Sequence, residues 1–172
     1  MDVRIDLPPA LPSAPFETGG AGPLRGLLER AVRTVLEAEG IEPHPAGGLS
    51  VTLADDGTMG ELNRRYLQRT GPTDVIAFPL WEAGEPVVGD IYVGWEQAVR
   101  QAEDEEVEPR EELVRLVVHG TLHVLGWDHP DEPGLRPGSP MGVRQEELVR
   151  AVEGGGPGAS GPTDPPEAPR RP

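Results

Sequence analysis

Residues 109–129, PREELVRLVVHGTLHVLGWDH, combine the pattern of a helix with three of the chain's four histidines. Pro109 suits the first position of a helix, where the amide hydrogen that proline lacks would have no partner. The apolar side of the pattern then recurs at helical spacing, at Leu113, Leu116, Val117, Gly120 and Val124. Gly126 is placed to end the helix, because glycine readily adopts the left-handed backbone found just beyond helix ends. The stretch therefore predicts a helix that begins at Pro109 and stops at Gly126.

The three histidines of this stretch have the spacing of a metal site. His119 and His123 are four residues apart, so both imidazoles project from one face of the predicted helix. The turn expected at Gly126 can bring His129 back to the same point in space. Three neutral imidazoles from a helix and a loop are the arrangement of a catalytic zinc site, in which the fourth position is left for water. Such a site activates water for nucleophilic attack at neutral pH.

Two alternatives to this metal site are open. The histidines could be core or loop residues that fall together by chance. Their spacing also matches the metzincin peptidase pattern H-E-x-x-H-x-x-G-x-x-H, except that Gly120 stands where the peptidase has its general base. A glycine cannot accept a proton, so the stretch lacks the usual device for peptide hydrolysis and a peptidase is disfavoured.

The rest of the chain alternates between strand and helix patterns. Strands are predicted at residues 3–7, 49–53, 75–78 and 87–93, and helices at residues 23–39, 58–68, 95–106 and 141–152. This order, with short connections, is typical of an α+β domain with a sheet of about four strands. We assign residues 1–152 to a single domain. Residues 153–172 are rich in Gly and Pro and have almost nothing to bury, so we expect a disordered tail.

Composition excludes several classes of chemistry. The chain has 172 residues, a formal net charge of −15 and no cysteine, which removes disulfides, cysteine zinc sites and thiol catalysis. All 15 basic residues are arginine, which excludes Schiff-base chemistry and a Walker-type phosphate loop. The acidity argues against a broad nucleic-acid surface, because non-specific binding depends on neutralising phosphates. We find no membrane-span or signal-peptide pattern and expect a cytoplasmic protein.

Three blocks of the sequence resemble the YbeY family of rRNA maturation factors. Residues 119–129 resemble the family signature H-G-x-L-H-L-x-G-Y-D-H. The second block, LNRRY at residues 62–66 followed by GPTDVIAFP at 71–79, resembles the family's L-N-x-x-Y-R…P-T-D-V-L-S-F-P segment. The third, GDI at residues 89–91, resembles its G-D-I strand. The resemblance covers about residues 49–152, with the blocks in the same order.

The resemblance implies a fold, an activity and a ligand set. It implies an α+β fold with a mixed sheet, and a single-strand-specific endoribonuclease that matures the 3′ end of small-subunit (16S) rRNA and takes part in ribosome quality control. It also implies one zinc ion held by His119, His123 and His129, which match the signature position by position. The expected partners are rRNA and ribosome or small-subunit assembly components, with neither DNA nor a membrane. Three imidazoles also suit other divalent ions, and the oligomeric state is left open.

Candidate RNA-binding and catalytic residues are less well defined. The family often has an arginine directly after the tyrosine, whereas this chain has Leu67. Arg64, Arg65 and Arg69 are close by and are our candidates for phosphate contacts, although they could equally form a solvated helix face. Asp128 could orient a ligand imidazole or accept a proton as the catalytic base, or it could be a turn residue that bonds its own backbone.

A different class of function competes with the nuclease. The chain could be a ribosome-assembly factor in which the metal is structural. A structural site is normally closed by a fourth protein ligand. With no cysteine and no fourth histidine near the signature, Asp128 is the available donor.

Overall fold

The strands and helices follow one another in α+β order. The computed structural model describes residues 1–16, 21–131 and 133–154. The strands are β1 (Asp2–Asp6), β2 (Gly48–Ala54), β3 (Val75–Pro79) and β4 (Val88–Gly94). The helices are α1 (Ser13–Phe16), α2 (Ala21–Ala38), α3 (Asp56–Leu62), α4 (Trp95–Asp104), α5 (Pro109–Val124) and α6 (Pro140–Gly154). A π-helical turn (Asn63–Leu67) follows α3 directly, and a short 3-10 helix spans Pro133–Leu135.

The four strands form one mixed sheet in the order β1-β2-β4-β3. β1 pairs with β2, and β2 with β4, in parallel. β3 and β4 form an antiparallel hairpin in which Ala77 lies opposite Ile91. The long helix α2 connects β1 to β2, because parallel neighbours need a crossover connection. The α+β prediction with a four-stranded sheet is thus confirmed, and so is the mixed pairing that the resemblance implies.

The signature helix α5 lies at the centre of the fold. It packs against β3 and β4 on the sheet and against α2, α4 and α6. Leu113, Val117 and Leu122 on this helix are completely buried. Because α5 is buried on several sides, the histidines at its carboxyl end are held by a rigid element rather than by a loop.

A smaller apolar cluster covers the other face of the hairpin. Met59 and Ile76 are buried there, with Leu62, Phe78 and Tyr92 packed around them. Helix α3 begins at Asp56, earlier than predicted, because the Asp55 carboxylate accepts the Thr58 amide hydrogen and caps the helix. The predicted single helix over residues 58–68 is therefore wrong in detail, since it widens into the π-helical turn after Leu62.

The carboxyl-terminal helix sets the limit of the described fold. α6 runs to Gly154, slightly beyond the boundary predicted at residue 152. The remainder of the predicted tail, residues 155–172, lies outside the described residues, so the division into domain and tail stays a prediction. Within the described ranges, no helix combines the length and the hydrophobicity needed to cross a lipid bilayer.

Candidate metal centre

The three signature histidines meet at one point. His123 Nε2 lies 3.0 Å from His119 Nε2, and His129 Nε2 lies 3.3 Å from the same atom. One ring nitrogen from each residue falls within 4.8 Å of the other two. The juxtaposition expected from the sequence is therefore present.

The turn after α5 brings His129 to the other two histidines. The Trp127 amide donates to the Leu122 carbonyl at 3.0 Å, and the Gly126 amide donates to the His123 carbonyl at 3.0 Å. This pair of bonds is the Schellman motif, which requires a left-handed residue at Gly126. Its φ is 93°, a value that other residues adopt only with strain. The glycine thus reverses the chain three residues before His129.

Hydrogen bonds at the other ring nitrogen select one tautomer for all three imidazoles. Each Nδ1 faces an oxygen, so each Nδ1 donates a hydrogen: to Gln145 Oε1 at 2.7 Å from His119, to the Trp127 carbonyl at 2.9 Å from His123, and to the Pro130 carbonyl at 2.9 Å from His129. The Gln145 amide nitrogen donates to Glu146, which supports the orientation of its oxygen toward His119. In this tautomer each imidazole directs its Nε2 lone pair at a common centre.

Burial keeps the His119 and His123 rings in the uncharged form that binds metals. Burial lowers the pKa of His119, and it lowers the pKa of His123 to about 4, with the neighbouring His119 adding to the effect. At neutral pH both imidazoles are consequently uncharged. Converging lone pairs repel one another unless a cation lies between them.

The donor set fits a tetrahedral metal ion. Two nitrogens bound at about 2.0–2.1 Å to a tetrahedral zinc are about 3.3–3.4 Å apart. The two Nε2 separations of 3.0 and 3.3 Å are close to that value. Among the described residues, this cluster contains three histidines and no carboxylate as a fourth member. The site thus has the composition of an open three-histidine centre.

A buried ion pair supports the turn from behind. Glu39, directly after α2, accepts the Trp127 indole hydrogen at 2.9 Å and the Arg144 Nε hydrogen at 2.8 Å. Both charged side chains are almost fully buried. Since the Trp127 carbonyl orients His123, the carboxylate of Glu39 connects α2, α6 and the metal-binding turn.

A cavity of about 550 Å³ opens beside the histidines. His119 and His129 line it, together with the acidic residues Asp74, Asp104, Glu105, Glu112 and Glu146 and the cations Arg115 and Arg136. Burial raises the pKa of Glu112, although its hydrogen bond from Arg115 opposes that shift. The acidic residues of the lining outnumber the two arginines, so the cavity is acidic overall. A bound metal ion would offset part of this negative charge.

The predicted arginines lie on an exposed turn and do not line the histidine cavity. Arg64 and Arg65 lie in the π-helical turn and Arg69 follows it, and all three are exposed. Arg65 lies over the Tyr66 ring, 5.6 Å from its centroid. None of the three lines the histidine cavity. Their role in binding RNA stays a prediction for a surface outside this cavity.

Asp128 behaves as a turn residue in this structure. Its side chain is exposed, and its carboxylate accepts the His129 amide hydrogen at 2.8 Å. The imidazole partners are Gln145 and two backbone carbonyls rather than Asp128. A catalytic role for Asp128 stays a prediction.

Three residues at the site were not found from the sequence. Gln145 orients His119, Glu39 supports the turn, and Arg136 lines the cavity. Along the chain they are between 7 and 90 residues away from His129. No local spacing therefore connects them to the histidines of residues 119–129. Only the position of Gln145 on an amphipathic helix after the signature offered a weak signal.

Gly120 has a packing role that explains the missing glutamate. A Cβ added there would lie 2.6 Å from Ile91 Cγ2 and 3.0 Å from Val75 Cγ2, because α5 lies directly on the hairpin at this point. A glutamate side chain has no room at this position. The packing around residue 120 therefore leaves no space for the glutamate that serves as general base in the peptidases.

The contact at Gly120 gives a measurable stability effect. Gly120→Ala is expected to lower the free energy of unfolding by about 1–3 kcal/mol, because the added methyl overpacks the helix–sheet contact. Gly26→Ala is the matched control, since a Cβ there meets nothing within 4 Å. That change should stabilise α2 by about 0.5–1 kcal/mol. Urea unfolding of both variants checks the pair, and an equal effect at the two positions would contradict the packing argument.

Comparison with known proteins agrees with the geometry. The family model described as Endoribonuclease YbeY matches residues 21–153. The chain belongs to the YbeY family. The match contains α2 through α6 almost entirely, and the histidine cluster lies within it.

Relatives named Endoribonuclease YbeY in several bacteria are similar to this chain. One from Synechococcus sp. (strain CC9605) is 45% identical over 108 residues, which cover 59% of this chain and 63% of the relative. One from Persephonella marina is 36% identical over 117 residues, 66% of this chain and 74% of the relative. The chain thus spans less than two thirds of the Synechococcus YbeY and about three quarters of the Persephonella one.

A solved structure shares the fold. The solution structure of TM1509 from Thermotoga maritima superposes with a TM-score of 0.56 at 29% sequence identity. The superposition covers 89% of this chain and 90% of that protein. The arrangement of sheet and helices described above is therefore that of an experimentally determined structure.

Proposed function

We propose that this chain is a zinc-dependent, single-strand-specific endoribonuclease that matures the 3′ end of 16S rRNA and takes part in ribosome quality control. Membership of the YbeY family supports the class of reaction, since the family model and the relatives carry the name endoribonuclease. The observation that carries the proposal is the convergence of three Nε2 atoms. On each ring an oxygen acceptor at Nδ1 fixes the tautomer that leaves Nε2 for a metal.

In this proposal His119, His123 and His129 hold the metal. A bound divalent ion supplies Lewis-acid chemistry, activating water and neutralising charge on a phosphoryl oxygen. Gln145 and the carbonyls of residues 127 and 130 orient the three rings and hold the hydrogen on Nδ1, which leaves each Nε2 for the metal. The open side of the cluster faces a cavity large enough for part of a nucleotide chain. Zinc is our choice because three imidazoles and an open position are its common catalytic arrangement.

The exposed arginines support the choice of a single-stranded substrate. Arg64, Arg65 and Arg69 place positive charge on one turn of an otherwise acidic protein, and Tyr66 between them is 53% exposed. Arginine and an exposed aromatic ring suit the phosphates and unstacked bases of single strands. We propose that these residues bind RNA outside the cavity. The partners would then be rRNA and small-subunit assembly components in the cytoplasm.

The cluster favours the nuclease over a structural metal site. A structural zinc is normally four-coordinate with protein ligands alone. The sequence left Asp128 as the available fourth donor, and its carboxylate instead accepts the His129 amide hydrogen. We propose that the carboxylate oxygen of Asp128 that does not accept this hydrogen acts as the catalytic base, since the side chain is exposed.

The experiment combines metal removal with substrate choice. We expect the purified protein to cleave a single-stranded RNA, to leave the same sequence intact as a duplex, and to leave casein intact. Dialysis against a chelator until metal analysis shows none should abolish cleavage, and added zinc should restore it. Cleavage that persists without metal would overturn the mechanism, and casein hydrolysis would point to the peptidase instead.

A further inference from the structure

Arg136 is connected to the histidine cluster through one shared hydrogen-bond acceptor. Its Nε donates to the Pro130 carbonyl at 3.3 Å, and its Nη2 donates to the Asp131 carbonyl at 3.0 Å. The same Pro130 oxygen accepts the Nδ1 hydrogen of His129. The guanidinium and a metal-site imidazole therefore share one acceptor, and both side chains line the same cavity.

The charge of Arg136 is available to a ligand. Its described partners are two neutral carbonyl groups, and among the described residues no carboxylate lies within ion-pair distance of it. Arg115, the other cation of the cavity, donates instead to Glu112 at 2.8 Å and to Glu146 at 3.0 Å. The charge of Arg115 is thus balanced by two carboxylates, whereas that of Arg136 is not balanced by any described carboxylate.

Arg136 lies in the lining of the same cavity as His119 and His129, among mostly acidic residues. Several carboxylates line the cavity, so an anionic ligand that enters it meets repulsion on most sides. A guanidinium that has no carboxylate partner among the described residues offsets that repulsion beside His129.

We propose that Arg136 binds a phosphate of the RNA substrate at or next to the bond that is cleaved. This inference rests on the proposed function and names the residue that holds the reacting segment in the cavity. Two backbone carbonyls accept from Nε and Nη2, which leaves the Nη1 hydrogens to donate to a ligand. A guanidinium fixed in this way is preorganised for phosphate oxygens.

A second role for Arg136 would be purely structural. Its bonds to residues 130 and 131 brace the loop that carries His129. Loss of that brace would weaken metal binding, whereas loss of a phosphate contact would weaken RNA binding and leave the metal in place. Metal affinity and RNA affinity therefore separate the two roles.

The test measures the binding of a non-cleavable single-stranded RNA at several salt concentrations. For Arg136→Gln we expect about a tenfold loss of RNA affinity, because a hydrogen bond to a charged group is removed. The slope of log affinity against log salt should fall by about 0.7, the value for one phosphate contact on a single strand. Arg136→Lys should recover most of both, since it keeps the charge but cannot bridge two carbonyls. Zinc content should stay at the wild-type value when the protein is saturated with zinc, so that the loss of RNA affinity is not a loss of metal.

Arg4→Gln is the matched control for net charge. Arg4 pairs with Asp6 on the surface of β1, far from the signature in the sequence and exposed to solvent. Its loss should leave RNA affinity and salt slope unchanged. Unchanged RNA binding in Arg136→Gln, or a parallel fall in zinc affinity that lysine does not rescue, would overturn the phosphate contact. Absence of RNA cleavage by the wild-type protein would instead overturn the proposed function.

Discussion

Replacing His123 with alanine is expected to remove the bound metal and to reduce cleavage of single-stranded RNA on the order of a thousandfold. His123 lies between the other two ligands in the sequence, and its Nε2 is 3.0 Å from that of His119. Two remaining imidazoles do not make a zinc site, because catalytic zinc centres have three protein ligands. Metal analysis and an RNA cleavage assay on the same preparation measure both effects.

The fourth histidine provides the control for this substitution. His44 is exposed, and its Nδ1 accepts the Ala46 amide hydrogen in a loop. His44→Ala should retain the metal and cleave RNA at the wild-type rate. If His123→Ala still bound zinc with unchanged affinity, the ligand assignment would be wrong. If it lost the metal and still cleaved RNA, the metal would have no part in the reaction.

Replacing Glu39 with glutamine is expected to lower the free energy of unfolding by about 3 kcal/mol. The change keeps the shape of the side chain but leaves the buried Arg144 guanidinium without its buried counter-charge. The figure is at the low end for a broken buried pair, because Glu147 also faces Arg144 at 3.1 Å. Urea unfolding measures the loss.

The same substitution should also weaken the metal site. Glu39 holds the Trp127 indole, and the Trp127 carbonyl orients the His123 ring. We expect about a tenfold loss of zinc affinity, as found when outer partners of metal ligands are changed. Glu29→Gln, which breaks an exposed pair with Arg33 on α2, should cost no more than about 0.5 kcal/mol and leave zinc affinity unchanged. Equal effects of the two variants would contradict a special role for the buried pair.

Much of the site could be predicted because its signals are local. His119 and His123 share a helix face through their spacing alone, and Gly126 marks the place where the chain turns back. The strands could be located for the same reason, since alternation of apolar residues is a property of a few neighbouring positions. The structure confirms the four-stranded α+β architecture and the meeting of the histidines.

The start of α3 shows where local patterns are ambiguous. The predicted start at residue 58 follows from Thr58 and Glu61, which have the spacing of a capping box, whereas Asp55 is the residue that caps the helix. Both assignments satisfy a short-range rule, and only the backbone hydrogen bonds distinguish them. The widening into a π-helical turn at Asn63 has no short-range signature, so the directions of Arg64 and Arg65 could not be deduced.

The sequence by itself determined which residues could hold a metal, because ligand type, helical spacing and a turn glycine are all written within eleven positions. Tertiary structure alone decided what surrounds them. Gln145, Glu39 and Arg136 reach the site from separate elements, and Gly120 is required by a helix–sheet contact that involves Ile91. The physical reason is range: spacing governs neighbours on one helix, whereas hydrogen bonds, burial and charge act between parts of the chain that only folding brings together.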